Sequence, residues 1–493
     1  MASLPNDPLF RYQWFLVNTG QSGGAPGSDI NVLPVWSNYT GRGVRVAIVD
    51  DGVQFDQPDL KANIDVAGSW DAVANAPGGG AFGDNNHGTA VAGLVGEVAN
   101  NGIGGSGVAP DATLLSYRIN LGGKGGTGAV IAFEKALENR ADVVNNSWGT
   151  SAAFANNAKD PDQAAEFAAV DALGSQGRGG KGSIVLFSSG NDGAKGYDGN
   201  LDNHLNSRHV ITVGALDDTG QRASYSTPGA DLLISAPAGA STDQAEARPG
   251  NGVLTTDRTG SDGYNKLPGV SGDYMYNFNG TSAAAPVASG VVALVLQADP
   301  NLGYRDVQEI LAHAARFVDT GAASWIRTHP DSSPWNGGAE LFSNNYGFGE
   351  VDAHAAVRLA EIYPYLHSAP RSDANVVQTT ASISVNVQID SDPVPSEDDD
   401  FPTLDSSTTF GLSLPAGVDL NHVDLSLFAQ VEHPSALTVT LTSPSGTTVA
   451  MISQAENATS PWPQGGFSMG TDAFWGEQSA GTWMVKVSIA GEK

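Results

Sequence analysis

The 493-residue sequence contains no cysteine. That excludes a disulfide framework, a thiolate metal centre and a cysteine nucleophile, so stability in an oxidising environment has to come from packing and bound ions. Basic residues are scarce: 24 Lys and Arg face 53 Asp and Glu, a formal charge of −29. Such a surface repels phosphates, which excludes nucleic acid as a partner, and it draws in cations and basic ligands. Most of these carboxylates read as a solvated acidic surface. No apolar run is long enough to span a bilayer. The best, Ala288–Ala298, is short and preceded by Pro286, so no membrane span is expected. The N-terminus lacks the basic-then-apolar pattern of a signal peptide, and Met1-Ala2-Ser3 reads as a start placed after any targeting segment.

What is present is enough chain for two or three cores. From Asp7 to Ile362 strands alternate with helices. Val44–Val49 is a continuous apolar run ending in Asp-Asp-Gly, the pattern of a strand buried on both faces. Similar runs are Ala112–Ile119, Val143–Asn146, Ser183–Phe187 and Val210–Val213, with helical stretches Gly88–Ala99, Gly128–Glu138 and Asp162–Leu173 between them. Strand, helix and strand in succession predict an α/β fold, a doubly wound parallel sheet covered on both sides.

Beyond Tyr363 the character changes. Residues 369–405 are rich in Ser, Asp and Pro and carry the acidic cluster Ser396–Asp400. Short alternating runs follow at Val423–Phe428, Leu437–Leu441 and Met484–Ile489, and Ser443–Thr447 is a hairpin signal. This predicts a second, all-β jelly-roll-like domain at 369–493, its first part an acidic linker, after a first domain at 1–368. From Arg371 onward three basic residues face fifteen acidic ones, so the second domain is acidic in its own right.

Three local patterns carry chemistry. Asp50 ends a buried strand, His87 opens a helix before Gly88-Thr89, and Ser282 opens another after Asn279-Gly280-Thr281. Singly, each has an ordinary reading as turn former, cap residue or N-cap. Together they supply what acyl transfer needs: a serine is a poor nucleophile without a base, and the base needs a carboxylate to fix its tautomer. Asn191, in Ser189-Gly190-Asn191-Asp192-Gly193, offers a side-chain amide to an oxyanion, or else a turn.

These residues lie in a series of motifs that resembles the subtilisin superfamily and, within it, the kexin/furin-like proprotein convertases. The series runs through Asp7–Phe10, Gln13–Asn18, Gly27–Val32, Asp50–Gly52, His87–Thr89, Ser147–Gly149, Ser189–Asn191, Gly280–Ser282, Tyr346–Gly349 and Asp352–His354. The C-terminal part is similar to the convertases' P domain through Leu441–Thr447, Trp475–Glu477 and Gly481–Trp483.

The resemblance implies a secreted-type serine endopeptidase with Asp50 as acid, His87 as base, Ser282 as nucleophile and Asn191 as oxyanion donor. It implies substrate contacts at Asp51, Asp84 and Asn85, and backbone pairing with the substrate at Ser147, Trp148 and Gly149. Asp202 would lie at the bottom of the first pocket, favouring cleavage after Arg or Lys, unless it merely caps a turn. Calcium is the implied cofactor, on Asp7, Asp59, Asn101 and the carbonyls of Val98, Ile103 and Gly105, an oxygen set suited to a hard cation. Composition alone reads Asp7 and Asp59 as surface acids. The sequence departs from the convertases at Ala152 and Thr227, where they carry further acids, so their second, pocket-associated calcium site is not expected. Implied partners are peptides or proteins with basic cleavage sites, and an inhibitory propeptide outside this sequence. A secreted, periplasmic or cell-envelope location follows. Two other readings are a subtilase-like binding scaffold and a broad degradative subtilisin.

Overall fold

In the computed structural model, residues 4–121, 128–240, 252–267, 269–328, 340–384, 406–415, 417–431, 434–456 and 458–489 are described. The acidic cluster at 396–400 lies outside them.

The first part is built on one eight-stranded sheet. In chain order its strands are β1 (Arg45–Asp50), β2 (Trp70–Asp71), β3 (Ala76–Pro77), β4 (Thr113–Arg118), β5 (Val143–Asn146), β6 (Ile184–Ser188), β7 (Val210–Leu216) and β8 (Leu232–Pro237). They lie in the order 3-2-4-1-5-6-7-8, parallel throughout except where β2 and β3 form an antiparallel edge. The chain leaves β1 first toward β4 and later returns to its other side as β5. That reversal makes a crevice at the carboxyl ends of the strands, where ligands bind in open α/β sheets.

Alternation along β1 explains the layering. Val46 and Ile48 belong to one core cluster, Ala47 and Val49 to the other. One face is covered by α1 (His87–Gly96), α4 (Thr281–Ala298), α5 (Tyr304–Ala314) and α6 (Ala353–Ile362), the other by α2 (Ala129–Glu138) and α3 (Ala164–Gly180). Helix α4 packs across β5 to β8 and against α1 and α6. It is long and apolar enough to cross a membrane by length and composition, yet 83% of it is buried inside the protein, as a core helix should be. Helix α1 stops earlier than expected, at Gly96, because Glu97 turns to extended backbone (ψ 133°) to feed the loop that follows.

Two small antiparallel pairs complete this part: β9 (Val253–Thr256) with β10 (Tyr274–Phe278), and β11 (Ile326–Arg327) with β12 (Leu341–Phe342). The first lies on α1, where the hydroxyls of Thr255 and Thr256 donate to the carbonyls of Ala90 and Thr89.

The C-terminal part is antiparallel. β13 (Ser406–Leu414), β14 (Val423–Leu427), β15 (Leu437–Thr442), β16 (Thr448–Ser453), β17 (Phe467–Thr471) and β18 (Gly481–Ile489) form a four-stranded sheet, 13-18-15-16, and a pair, 14-17. Leu437, Val439 and Leu441 alternate inward on β15, as do Trp483, Val485 and Val487 on β18. The expected hairpin at Ser443–Thr447 joins β15 to β16, closed by Ser443 N–H on the Thr447 carbonyl at 2.9 Å.

The two parts meet in an aromatic cluster. Phe154 packs edge-on against Trp462 (5.2 Å) and Phe467 (5.0 Å), and all three are buried. Farther along, Arg208 and His209 bond Asp373, so the stretch around 371–375 is fastened to the first part. Removing a buried tryptophan leaves a cavity that costs about 3–5 kcal/mol. Trp462→Ala is therefore expected to shift the whole guanidinium unfolding transition to lower denaturant. A shift confined to the C-terminal part's signals, with the first part unmoved, would show the two parts unfolding independently.

Candidate active site

Strand β1 delivers Asp50 to the carboxyl edge with its side chain fully buried. Because Val49 pairs with Asn146 in β5, Asp50 and Ser147 leave the sheet side by side. Helix α1 begins at His87, whose Nδ1 lies 2.9 Å and 3.0 Å from the two Asp50 oxygens. The imidazole ring rests on Phe278, the last residue of β10, with centroids 5.4 Å apart. Burial pulls the His87 pKa down, but Asp50, helped by Asp51, outweighs it and leaves the ring above its ordinary value.

Ser282 sits in the first turn of α4. Its Oγ donates to the Ser147 carbonyl at 3.1 Å while Ser147 Oγ donates back to the Ser282 carbonyl at 3.0 Å. Among the described residues Ser282 makes no hydrogen bond to His87. Gly280 precedes it in left-handed conformation (φ 84°), and an added Cβ there would lie 3.1 Å from Asn191 Nδ2, so glycine lets the two segments close up. Asn191 Oδ1 accepts from the N–H and hydroxyl of Thr281 at 2.8 and 3.0 Å. That fixes the amide's orientation and leaves its NH₂, on an exposed residue, without a partner among the described residues.

The structure brings Asp51 and Asn85 to the same corner. Asp51 accepts the N–H groups of His87 (3.1 Å) and Gly88 (2.7 Å), so its carboxylate caps α1. Burial first, then the adjacent Asp50 charge, raises its pKa to about 6. Asn85 Nδ2 donates to the Asp51 carbonyl; Asp84 is exposed. Gly149 is exposed beside Trp148, whose ring packs against Phe133, Phe187 and His204.

Asp202 lies farther in. Its carboxylate accepts Asn156 Nδ2 at 2.8 Å and the His204 N–H at 2.9 Å, and burial raises its pKa to about 6. Sequence reasoning missed Asn156, and also Glu166, whose Oε1 stands 3.4 Å from His204 Nε2 and whose pKa is raised to about 7 by burial and by Asp202.

The expected calcium residues gather elsewhere, on the loop after α1. Asp7 accepts the N–H groups of Asn100, Asn101 and Gly102. Asp59 accepts Asn101 Nδ2 and the Tyr274 hydroxyl. Glu97, also missed, is wholly buried beside Asp59 and accepts the Gly105 N–H at 2.6 Å. An acid directly after the apolar run of α1 was the signal for it. Among the described residues no three acidic or histidine side chains form a ready metal cluster. The donor set nevertheless fits a hard cation: Asp7 and Asp59 are buried, and the carbonyls of Val98, Ile103 and Gly105 accept no hydrogen bond from the described residues.

Fold and site together define an α/β protein with an acid, an imidazole and a serine at the carboxyl edge of a parallel sheet. Residues 41–349 match the Subtilase family and residues 420–492 the proprotein convertase P-domain; the chain belongs to the Subtilase family. It is 32% identical to a PC3-like endoprotease of Hydra vulgaris over 98% of this chain and 64% of that one. It is 31% identical to human neuroendocrine convertase 2 over 99% of this chain and 71% of that one. The chain thus spans less than two thirds of the Hydra relative. The serine protease of Aeromonas sobria superposes with a TM-score of 0.80 at 25% identity, covering all of this chain and 90% of that one.

If Asp50 holds the His87 ring charged against burial, Asp50→Asn should lower its titration midpoint, followed by NMR of the imidazole. A midpoint equal to that of the wild type would show that the pair does not set the ring's charge.

Proposed function

We propose that this chain is a calcium-dependent serine endopeptidase that cuts peptide bonds after Arg or Lys. The observation that carries the reading is the His87–Asp50 pair lying at the same sheet edge as the Ser147–Ser282 exchange. On this reading Ser282 Oγ turns from the Ser147 carbonyl to His87, gives its proton to Nε2 and bonds to the scissile carbonyl carbon. The oxyanion takes a hydrogen bond from Asn191 Nδ2 and another from the N–H of Ser282 at the start of α4. His87 then protonates the leaving amine, and water repeats the sequence to free the acid. The substrate main chain pairs along Ser147-Trp148-Gly149. Asp202 receives the basic side chain, since charge-assisted bonds are the stronger ones, and Asp51, Asp84 and Asn85 line the next position.

Calcium would be held by Asp7, Asp59, Asn101 and the carbonyls of Val98, Ile103 and Gly105, where it supplies structural charge and takes no part in the chemistry. We also place the domain boundary at 368/369 and the protein outside the cytosol, where calcium is plentiful.

Ser282→Ala should abolish peptide hydrolysis and fluorophosphonate labelling while leaving the thermal transition unchanged. Residual hydrolysis by the purified variant would dismiss Ser282 as nucleophile, and an unlabelled wild type would favour a binding scaffold. Chelation should lower Tm, because an ion bound only to the native state stabilises it by mass action. Asp59→Ala should blunt that response; an unchanged Tm after verified calcium loss would remove the cofactor from the proposal.

A further inference from the structure

The loop that carries the expected substrate strand does not end in the first domain. After Gly149 it passes Phe154, whose backbone is left-handed (φ 63°) and whose ring is buried against Trp462 and Phe467 of the C-terminal domain. The Phe154 N–H donates to the Leu201 carbonyl, next to Asp202. A left-handed, non-glycine residue in a buried contact is strain held in place by its surroundings, and here those surroundings belong to the other domain.

Beyond it runs a chain of buried asparagines. Asn156 holds the Asp202 carboxylate at 2.8 Å, and its carbonyl accepts the Asn203 N–H at 3.1 Å. Asn203 Oδ1 accepts the Ala158 N–H at 2.9 Å, and its Nδ2 donates to the Ser468 carbonyl on β17 at 2.7 Å. Asn206 Nδ2 reaches the same carbonyl at 3.0 Å and Asn200 Oδ1 at 2.9 Å. Asn200 exchanges bonds with Gly470, Oδ1 accepting its N–H at 2.8 Å and Nδ2 donating to its carbonyl at 3.0 Å. Strand β17 thus presents a backbone edge to which three asparagines around Asp202 are tied. The fit is close: a Cβ on Gly470 would stand 2.3 Å from the Asn206 carbonyl oxygen.

A second observation places the C-terminal domain against the segment that follows the expected substrate strand. A cavity of about 390 Å³ opens between Thr150–Ala153, Tyr197 and the C-terminal domain's Thr459 and Ser460. Its wall includes Ala152, so the domain reaches the stretch directly after Gly149.

We infer that the C-terminal β-domain positions Asp202 through Asn156, Asn203, Asn206 and Asn200, and so sets the preference for a cationic side chain. The inference rests on reading Asp202 as the specificity carboxylate. These asparagines are positioning residues, whose hydrogen bonds run to Asp202, to one another and to β17 and not to Ser282. Their loss should therefore weaken binding of a basic substrate and spare both turnover and the cleavage of neutral substrates. A merely structural role would lower all activities together.

The test measures kcat and KM of the full chain on matched peptides with Arg or Leu before the scissile bond. Asp202→Asn should abolish the Arg preference. Asn203→Ala and Gly470→Ala should raise KM for the Arg peptide about tenfold, the scale of one charge-assisted bond, with kcat and the Leu peptide unchanged. If Gly470→Ala does not fold, Asn203→Ala and Asn156→Ala carry the test. An Arg preference that survives Asp202→Asn overturns the pocket reading and this inference with it. A preference lost in Asp202→Asn but intact in Asn203→Ala and Asn156→Ala, or equal losses on both peptides, overturns the inference alone.

Discussion

Burial of α4 across the parallel sheet is the constraint from which the site follows. A helix apolar on nearly every side can be accommodated only in the middle of a core, and β5 to β8 with α1 and α6 supply that enclosure. Once α4 is seated there, its first turn has one place to go, the carboxyl edge beside Ser147. The reciprocal Ser147–Ser282 bonds then join strand and helix end to end. The packing of β1 between two core clusters does the same for Asp50, and Asp51 fastens the start of α1 so that His87 meets its carboxylate. The polar residues are held by apolar ones several ångströms below them.

Against that well-packed core stands an unusual electrostatic burden. Asp198, Asp202 and Asp231 are buried near the seam, with pKa values raised by burial, Asp198 to about 7 and Asp202 to about 6. A carboxylate whose folded pKa lies above its unfolded value favours the fold at low pH. That contribution is lost as pH rises from the ordinary Asp range through about 6 to 7. At neutral pH these groups weigh against stability, and for Asp198 and Asp202 the hydrogen bonds to their carboxylates offset part of that cost. Asp198 illustrates how: it accepts the N–H groups of Asn200 and, across the seam, of Ser453.

Legibility in the sequence followed the range of the interactions. The alternation and apolar runs that make β1, β5 and α2 are local, and their positions in the structure agree with the sequence reading to within a residue or so. Asp50, His87, Ser282 and Asn191 were legible because each sits next to a glycine or a buried run that imposes its backbone. Asn156 was not, because nothing near it in sequence announces a carboxylate 46 residues away. The same holds for β9 and β10, separated by a long loop, and for the seam, whose partners lie more than 250 residues apart. Helix α4 was half-legible: Ser282 was read as opening it, but nothing local announces that Pro286, four residues on, withholds the N–H that the Ser282 carbonyl would accept, and that the Ser147 hydroxyl replaces it.

The choice of asparagine at the seam follows from the same electrostatics. A basic residue beside Asp202 would hold it firmly and cancel its charge, leaving nothing for a cationic ligand to meet. An aspartate would add repulsion to a region that already contains Asp198, Asp231 and Asp472. A hydroxyl is too short to span from one backbone to a strand of the other domain. The neutral amide donates to carbonyls and carboxylates and accepts from N–H groups, so it satisfies both sides without altering the charge. A buried network of this kind is worth most when every member is paired, and Asn200, Asn203 and Asn206 are paired through both oxygen and nitrogen. Such a lattice transmits position and leaves charge where it is, which is what the role proposed for Asp202 requires of its supports.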